Sequence, residues 1–119
     1  MEILNVKQLQ QLTNTDLEVS KRASKVLEIL DSEYGIDRKL SDNGGYVLVV
    51  QDNNQDDIKK LNEFLDLYGK CIVEYFETFT GDDSRTYCEL LMLLSNDYGV
   101  TLYMPQELFK KYESNFRWD

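Results

Sequence analysis

Apolar residues recur at three- and four-residue spacing from Val19 through Ala23, Val26, Leu27 and Leu30 to Tyr34, which predicts an amphipathic helix over 16–34. Thr15 and Glu18 stand at the spacing of a reciprocal capping box. Asp16 adds negative charge at the positive end of the helix dipole, and Gly35 can close the helix in the left-handed conformation. A second run with the same period, Ile58, Leu61, Phe64, Leu65 and Tyr68, ends at Gly69 and predicts another helix. Pro105 suits the first turn of a third, whose apolar face carries Leu108, Phe109, Tyr112 and Phe116. Ahead of all three, residues 1–14 read as a short helix or a loosely held arm.

Between the helices the period shortens. Asp42-Asn43-Gly44-Gly45 is turn chemistry, because glycine and asparagine tolerate positive φ, and it launches Tyr46-Val47-Leu48-Val49-Val50. A strand apolar on both faces belongs in the middle of a sheet. Residues 71–79, 86–94 and 100–104 are further strand-like runs, separated by Thr80-Gly81-Asp82-Asp83-Ser84 and Ser95-Asn96-Asp97-Tyr98-Gly99. Loops that short favour hairpins, so these three runs predict an antiparallel meander. The order is α-β-α-β-β-β-α, a single α+β domain over 1–119 with a mixed four-stranded sheet.

The passage from Tyr46–Val50 through the second helix to the run at 71–79 is long enough for a right-handed βαβ unit with parallel strands. That arrangement has a consequence for charge. Asp52, Asp56 and Asp57 leave the carboxyl end of one strand and Asp82 and Asp83 that of the other, so all five converge on one sheet edge. Asp42 and Asp97 belong to the opposite edge.

Composition sharpens this. The chain of 119 residues has 22 acidic and 13 basic side chains, a net charge of −9 and no histidine. Most of the excess lies in 41–104, where 12 acids face 4 bases. With 42% apolar residues and one proline, this is the composition of a folded domain. No basic flank and apolar stretch marks a secretory signal at the amino terminus, and no apolar run reaches the ~20 residues that span a bilayer. The expected location is cytoplasmic, with no membrane partner. If the hairpin closes on Gly81, Cys71 faces Leu93 and lies roughly 16 Å from Cys88, too far for a disulfide. Both are expected to be buried free thiols.

Several patterns approach chemistry without reaching it. Asp52, Asn54, Asp56 and Glu63 fall at the first, third, fifth and twelfth positions of a calcium loop, but its obligatory sixth-position glycine is replaced by Asp57. The segment reads instead as an acidic helix start, capped by Asp52 or Asn54. Glu77 and Glu89 would be diagonal neighbours roughly 7–8 Å apart on the wetter hairpin face, a glycosidase-like spacing. Without histidine, neither the cysteines nor Ser84 or Ser95 has an evident base. The glycines match no nucleotide-binding pattern, and the basic clusters Lys21-Arg22-Lys25 and Lys110-Lys111-Arg117 are offset by nearby acids, which disfavours direct nucleic-acid contact. No cofactor and no metal is expected.

The reading that remains is a small acidic interaction module that binds a basic protein partner. Its contact residues would be Asp52, Asp56, Asp57, Asp82 and Asp83, with Tyr75, Tyr87 and Tyr103 on one face of the meander. Inhibitors encoded by phages and mobile elements, nucleic-acid mimics and immunity proteins against nuclease toxins share this small acidic character. The competing expectation is a carboxylate- or metal-dependent hydrolase using Asp52, Asp56, Asp82 or Asp83, with Glu77 and Glu89 as further candidates, which requires a concave pocket with converging carboxylates, one of raised pKa. A third is a structural subunit of a homo-oligomer packed through its C-terminal helix, the chain being a monomer or a homodimer.

Overall fold

Asp16 starts the first helix with its own side chain. Its Oδ1 accepts the backbone N–H of Glu18 at 2.8 Å and of Val19 at 3.4 Å, so α1 runs Leu17–Tyr34, one residue shorter than expected. The computed structural model describes residues 2–3, 8–9, 16–34, 44–68, 71–95 and 98–118; Thr15 and Gly35, the other expected caps, lie outside them. The second helix, α2 (Gln55–Tyr68), is capped by Asn54, whose side-chain Oδ1 takes the Asp57 N–H at 3.1 Å while its carbonyl takes that of Ile58.

The sheet has the four long strands expected and two short ones at its margins. They are β1 (Glu2–Ile3), β2 (Gly44–Val49), β3 (Cys71–Thr80), β4 (Thr86–Ser95), β5 (Tyr98–Pro105) and β6 (Phe116–Trp118), in spatial order β1-β2-β5-β4-β3-β6. Part of the expected arm is thus β1, antiparallel to β2, and Leu9 is a helical, buried residue. The meander β3-β4-β5 is antiparallel throughout. The parallel neighbour of β2 is β5, not β3: the crossover through α2 passes over two strands before the chain re-enters the sheet. Since β3 still runs in the same direction as β2, both carboxyl ends reach one edge, as the acidic pattern requires.

Alternation along the strands divides the core into two layers. Leu48, Val50, Leu90, Met92, Val100, Leu102 and Met104 face α2 and the third helix, α3 (Gln106–Tyr112), where Leu61, Phe64, Leu65, Leu108 and Phe109 meet them. Val47, Val49, Phe79, Tyr87 and Tyr103 face α1, meeting its stripe Val19, Ala23 and Leu27. Pro105 precedes α3 rather than opening it, with φ −59° and ψ 143°. That helix stops at Tyr112, and Phe116 lies in β6, not on the helix face anticipated for it. The Ser114-Asn115 pair favours a short 3-10 turn, and Phe116-Arg117-Trp118 has the aromatic character of a strand.

The hairpin register is shifted from the one expected. Thr80 faces Thr86, which sets Glu77 directly opposite Glu89 instead of diagonally, and Thr78 opposite Cys88. Cys71 is therefore seven positions along β3 from the site opposite Cys88, about 23 Å at ~3.3 Å per residue. Cys88 is a buried free thiol, and burial, chiefly, pushes its pKa up to about 11, so it is unreactive at neutral pH.

Candidate functional site

Turns at the carboxyl ends of β2 and β3 come together around the start of α1. The Asp16 carboxylate that caps α1 also reaches the β3–β4 turn, accepting the N–H of Asp82 on Oδ1 at 3.1 Å and of Asp83 on Oδ2 at 3.0 Å. One side chain thus satisfies four backbone donors from two elements separated by more than sixty residues. Burial raises the cost of its charge, but the four N–H groups together outweigh that, and its pKa falls below the ordinary 3.8. Arg85 makes the second link. Its guanidinium grips Asp52 in the β2–α2 loop at 2.7 and 3.3 Å, and this hydrogen-bonded pair holds the Asp52 carboxyl below its usual range as well.

The turn is shaped by its own acids. Asp83 accepts the Arg85 N–H at 2.9 Å and the Tyr87 hydroxyl, while Gly81 donates to the Arg85 carbonyl at 2.8 Å. Ser84 takes a left-handed φ of 70° to complete the reversal. Burial first, then the Asp83 contact, pushes the Tyr87 phenol well above its ordinary pKa. Between these groups lies a cavity of about 160 Å³, lined by Asp16, Val49, Asp52, Asp83, Arg85 and Tyr87 among others.

Gly81 fixes how closely the turn approaches α1. A Cβ there would stand 2.5 Å from Tyr87 Cε2 and 2.8 Å from Asp16 Oδ2. Gly81→Ala is expected to destabilise the fold by about 1–3 kcal/mol, as overpacking does, read as a lower urea midpoint with an unchanged m-value. An unchanged midpoint would mean that the turn yields freely.

The five aspartates at this edge are not equivalent. Asp57 is buried and accepts the Gln51 N–H at 3.1 Å, which fastens the loop to the first turn of α2. Asp52 is paired with Arg85; Asp56, Asp82 and Asp83 are exposed, and of these Asp83 is bonded to its own turn. Of the four oxygens that resembled a calcium loop, Asn54 is engaged in the cap and Asp52 with arginine, while Asp56 and Glu63 are exposed; Asp57, at the glycine position, is bound to the backbone. Among the described residues, no group of three or more acids or cysteines is arranged to hold a metal.

The three tyrosines share the α1 face of the meander, but the helix covers two of them. Tyr103 is fully buried and Tyr87 nearly so, while Tyr75 near the sheet margin is 47% exposed. The Tyr103 hydroxyl faces the Glu89 carboxylate without completing a hydrogen bond of normal geometry; burial above all, and then that carboxylate, raise its pKa strongly. Glu77 and Glu89 share Arg22 of α1, whose Nη1 lies 3.4 Å from Glu77 and 3.5 Å from Glu89. Tyr75 donates to Glu77, and that bond, followed by Arg22, keeps the Glu77 carboxyl below its ordinary range.

Asp16, Arg22 and Arg85 organise these clusters, and none was singled out from the sequence as a site residue. One signal pointed to Arg85: it is the sole base in 71–104, inside an acidic segment. Comparison with known protein families, with curated proteins and with solved structures finds no match to this chain.

Proposed function

We propose that this chain is a small protein-interaction module that presents a fixed acidic edge to a basic partner, a surface of the kind that otherwise receives the phosphates of nucleic acid. The observation that carries the reading is the cross-tying of both acidic loops. Asp16 bonds the β3–β4 turn to α1, and Arg85 bonds the same turn to Asp52, so exposed Asp56 and Asp82 project from a braced frame. Bracing lowers the ordering cost of association, and charge of one sign steers an opposite partner. The carboxylates at the cavity suit this role better than hydrolysis. Asp16 and Asp52 are held as anions by donors and a guanidinium, whereas a general acid at neutral pH needs the opposite shift.

The test is capture of a basic partner at low and moderate salt by the native chain and by D56N/D82N, which spares every cross-tie. Loss of two exposed charges is expected to weaken binding about five- to tenfold at low salt and to flatten its salt dependence. Equal retention of the partner by both proteins would defeat the acidic-edge reading.

A further inference from the structure

β3 has an open side. Along one edge it pairs with β4 from Val73 to Thr80, but along the other β6 covers only Cys71, Ile72 and Val73. Among the described residues no strand pairs with the outer edge of 74–80, which follows a register irregularity between Val73 and Tyr75. The ladder shows which groups face out. Gly81 bonds across to Arg85, and because such pairs alternate, Phe79, Glu77 and Tyr75 direct their N–H and C=O toward β4. Thr80, Thr78 and Phe76 direct theirs away from the sheet.

Two further features of this edge define what fits it. On the α3 face, Phe76 is 37% exposed and Trp118 47%, their rings 5.1 Å apart at 81°. On the α1 face Tyr75 is exposed and Glu77, bonded by Tyr75 and Arg22, is half-buried, and residues 71–84 carry Glu74, Glu77, Asp82 and Asp83 with no base. Unpaired strand groups call for extended backbone, the aromatic pair for apolar side chains, and the acids for cations. Alternation places the last two on opposite faces of an added strand. A second copy of the chain would set Glu74 and Glu77 against their equivalents and is repelled.

We infer that β3 is a strand-addition site, taking an extended segment of alternating basic and apolar residues whose backbone bonds to Phe76, Thr78 and Thr80. This rests on the basic-partner reading and adds the partner's conformation. It also joins the two surfaces, since β3 runs directly into Asp82 and Asp83.

A capped seven-residue peptide alternating lysine and valine tests it by residue-resolved hydrogen exchange. With saturating peptide, the amides of Phe76, Thr78 and Thr80 are expected to slow at least tenfold, while those of Tyr75, Glu77 and Phe79, already bonded to β4, change little. Thr78→Pro removes an outward N–H without touching the β4 ladder, a position edge strands tolerate, and is expected to weaken binding at least tenfold. Should that variant fold poorly, two N-methylated peptides serve with the native chain. Methylation at one alternate set of residues is expected to abolish binding and at the other to be tolerated. No slowing at the three amides, or equal binding of both methylated peptides, overturns the inference. So does slowing of the same amides by self-association without peptide. The two readings separate cleanly. Lysine-peptide binding that is lost in D56N/D82N without protection of the three amides retains the acidic edge and rejects strand addition. Equal protection by a peptide with threonine for lysine overturns the basic occupant.

Discussion

Arg22→Met is expected to destabilise the protein by about 2–4 kcal/mol at neutral pH, the largest loss from any single polar side chain considered. Arg22 holds together three acids from three elements: its Nε lies 3.5 Å from Glu18 in its own helix, and its Nη1 meets Glu77 of β3 and Glu89 of β4. Its guanidinium also lies over the Phe79 ring at 4.1 Å, worth about 0.5–1 kcal/mol. Without it, Glu89, with only 11% of its side chain exposed, faces Glu77 directly across the ladder and has no cation to offset it. Breaking a fully buried pair costs about 3–5 kcal/mol, and the 26% exposure of Arg22 lowers the figure. In this variant Glu77 and Glu89 stand opposite each other as like charges with no guanidinium between them. E89Q combined with R22M should therefore recover much of the deficit in urea unfolding. A deficit unrelieved by E89Q would assign the effect to lost packing on Phe79 alone.

The distribution of this network shows what the sequence could reveal. Spacing of three and four identified α1 and α2, and continuous apolar runs identified the strands, because burial acts on every residue of those elements. Strand direction followed from loop lengths, and with it the common edge of Asp52, Asp56, Asp57, Asp82 and Asp83. Pairing was less legible. A parallel partner for β2 is chosen by which strand's apolar faces complete both layers, a long-range matter no local pattern encodes, and β5 rather than β3 fills that place. Hairpin register depends on the detailed turn, and the left-handed Ser84 with the Gly81–Arg85 bond moved it from the expected frame, bringing Glu77 and Glu89 face to face. Tyr87 and Tyr103 read as contact residues from type alone, but α1 covers them; tyrosine serves a core as well as an interface when a polar group meets its hydroxyl. The roles of Asp16 and Arg85 are tertiary throughout, since each joins segments far apart in the chain.

Asp16→Ala is expected to cost about 2–3 kcal/mol and to disturb two places at once. Loss of a helix cap accounts for about 1 kcal/mol. The remainder comes from the N–H groups of Asp82 and Asp83, which lose a charged acceptor worth about 1.5–3 kcal/mol in more buried settings and less in this solvated turn. The pH dependence follows from the lowered pKa of Asp16. Its folded-state carboxyl ionises more readily than in the unfolded chain, so its contribution is present above the ordinary value of 3.8 and disappears as pH falls through the folded value. Native and D16A proteins, compared by urea unfolding from pH 7 downward, should differ fully at pH 7 and converge at the acidic end. A constant difference across that range would show that shape, not charge, sets the contribution. The second consequence concerns the edge itself. Asp16 bonds the Asp82–Asp83 turn to α1 while Arg85 bonds it to Asp52, so D16A leaves one tie in place. Amide exchange at Asp82 and Asp83 should accelerate at least tenfold with little change at Gln51, whose N–H is held by Asp57. If bracing contributes to recognition, D16A should also weaken capture of a basic partner beyond the loss of one charge, through the added ordering cost of a loosened turn. Affinity equal to that of a variant lacking one exposed edge charge, such as D56N, would reduce the edge to an unstructured field of negative charge.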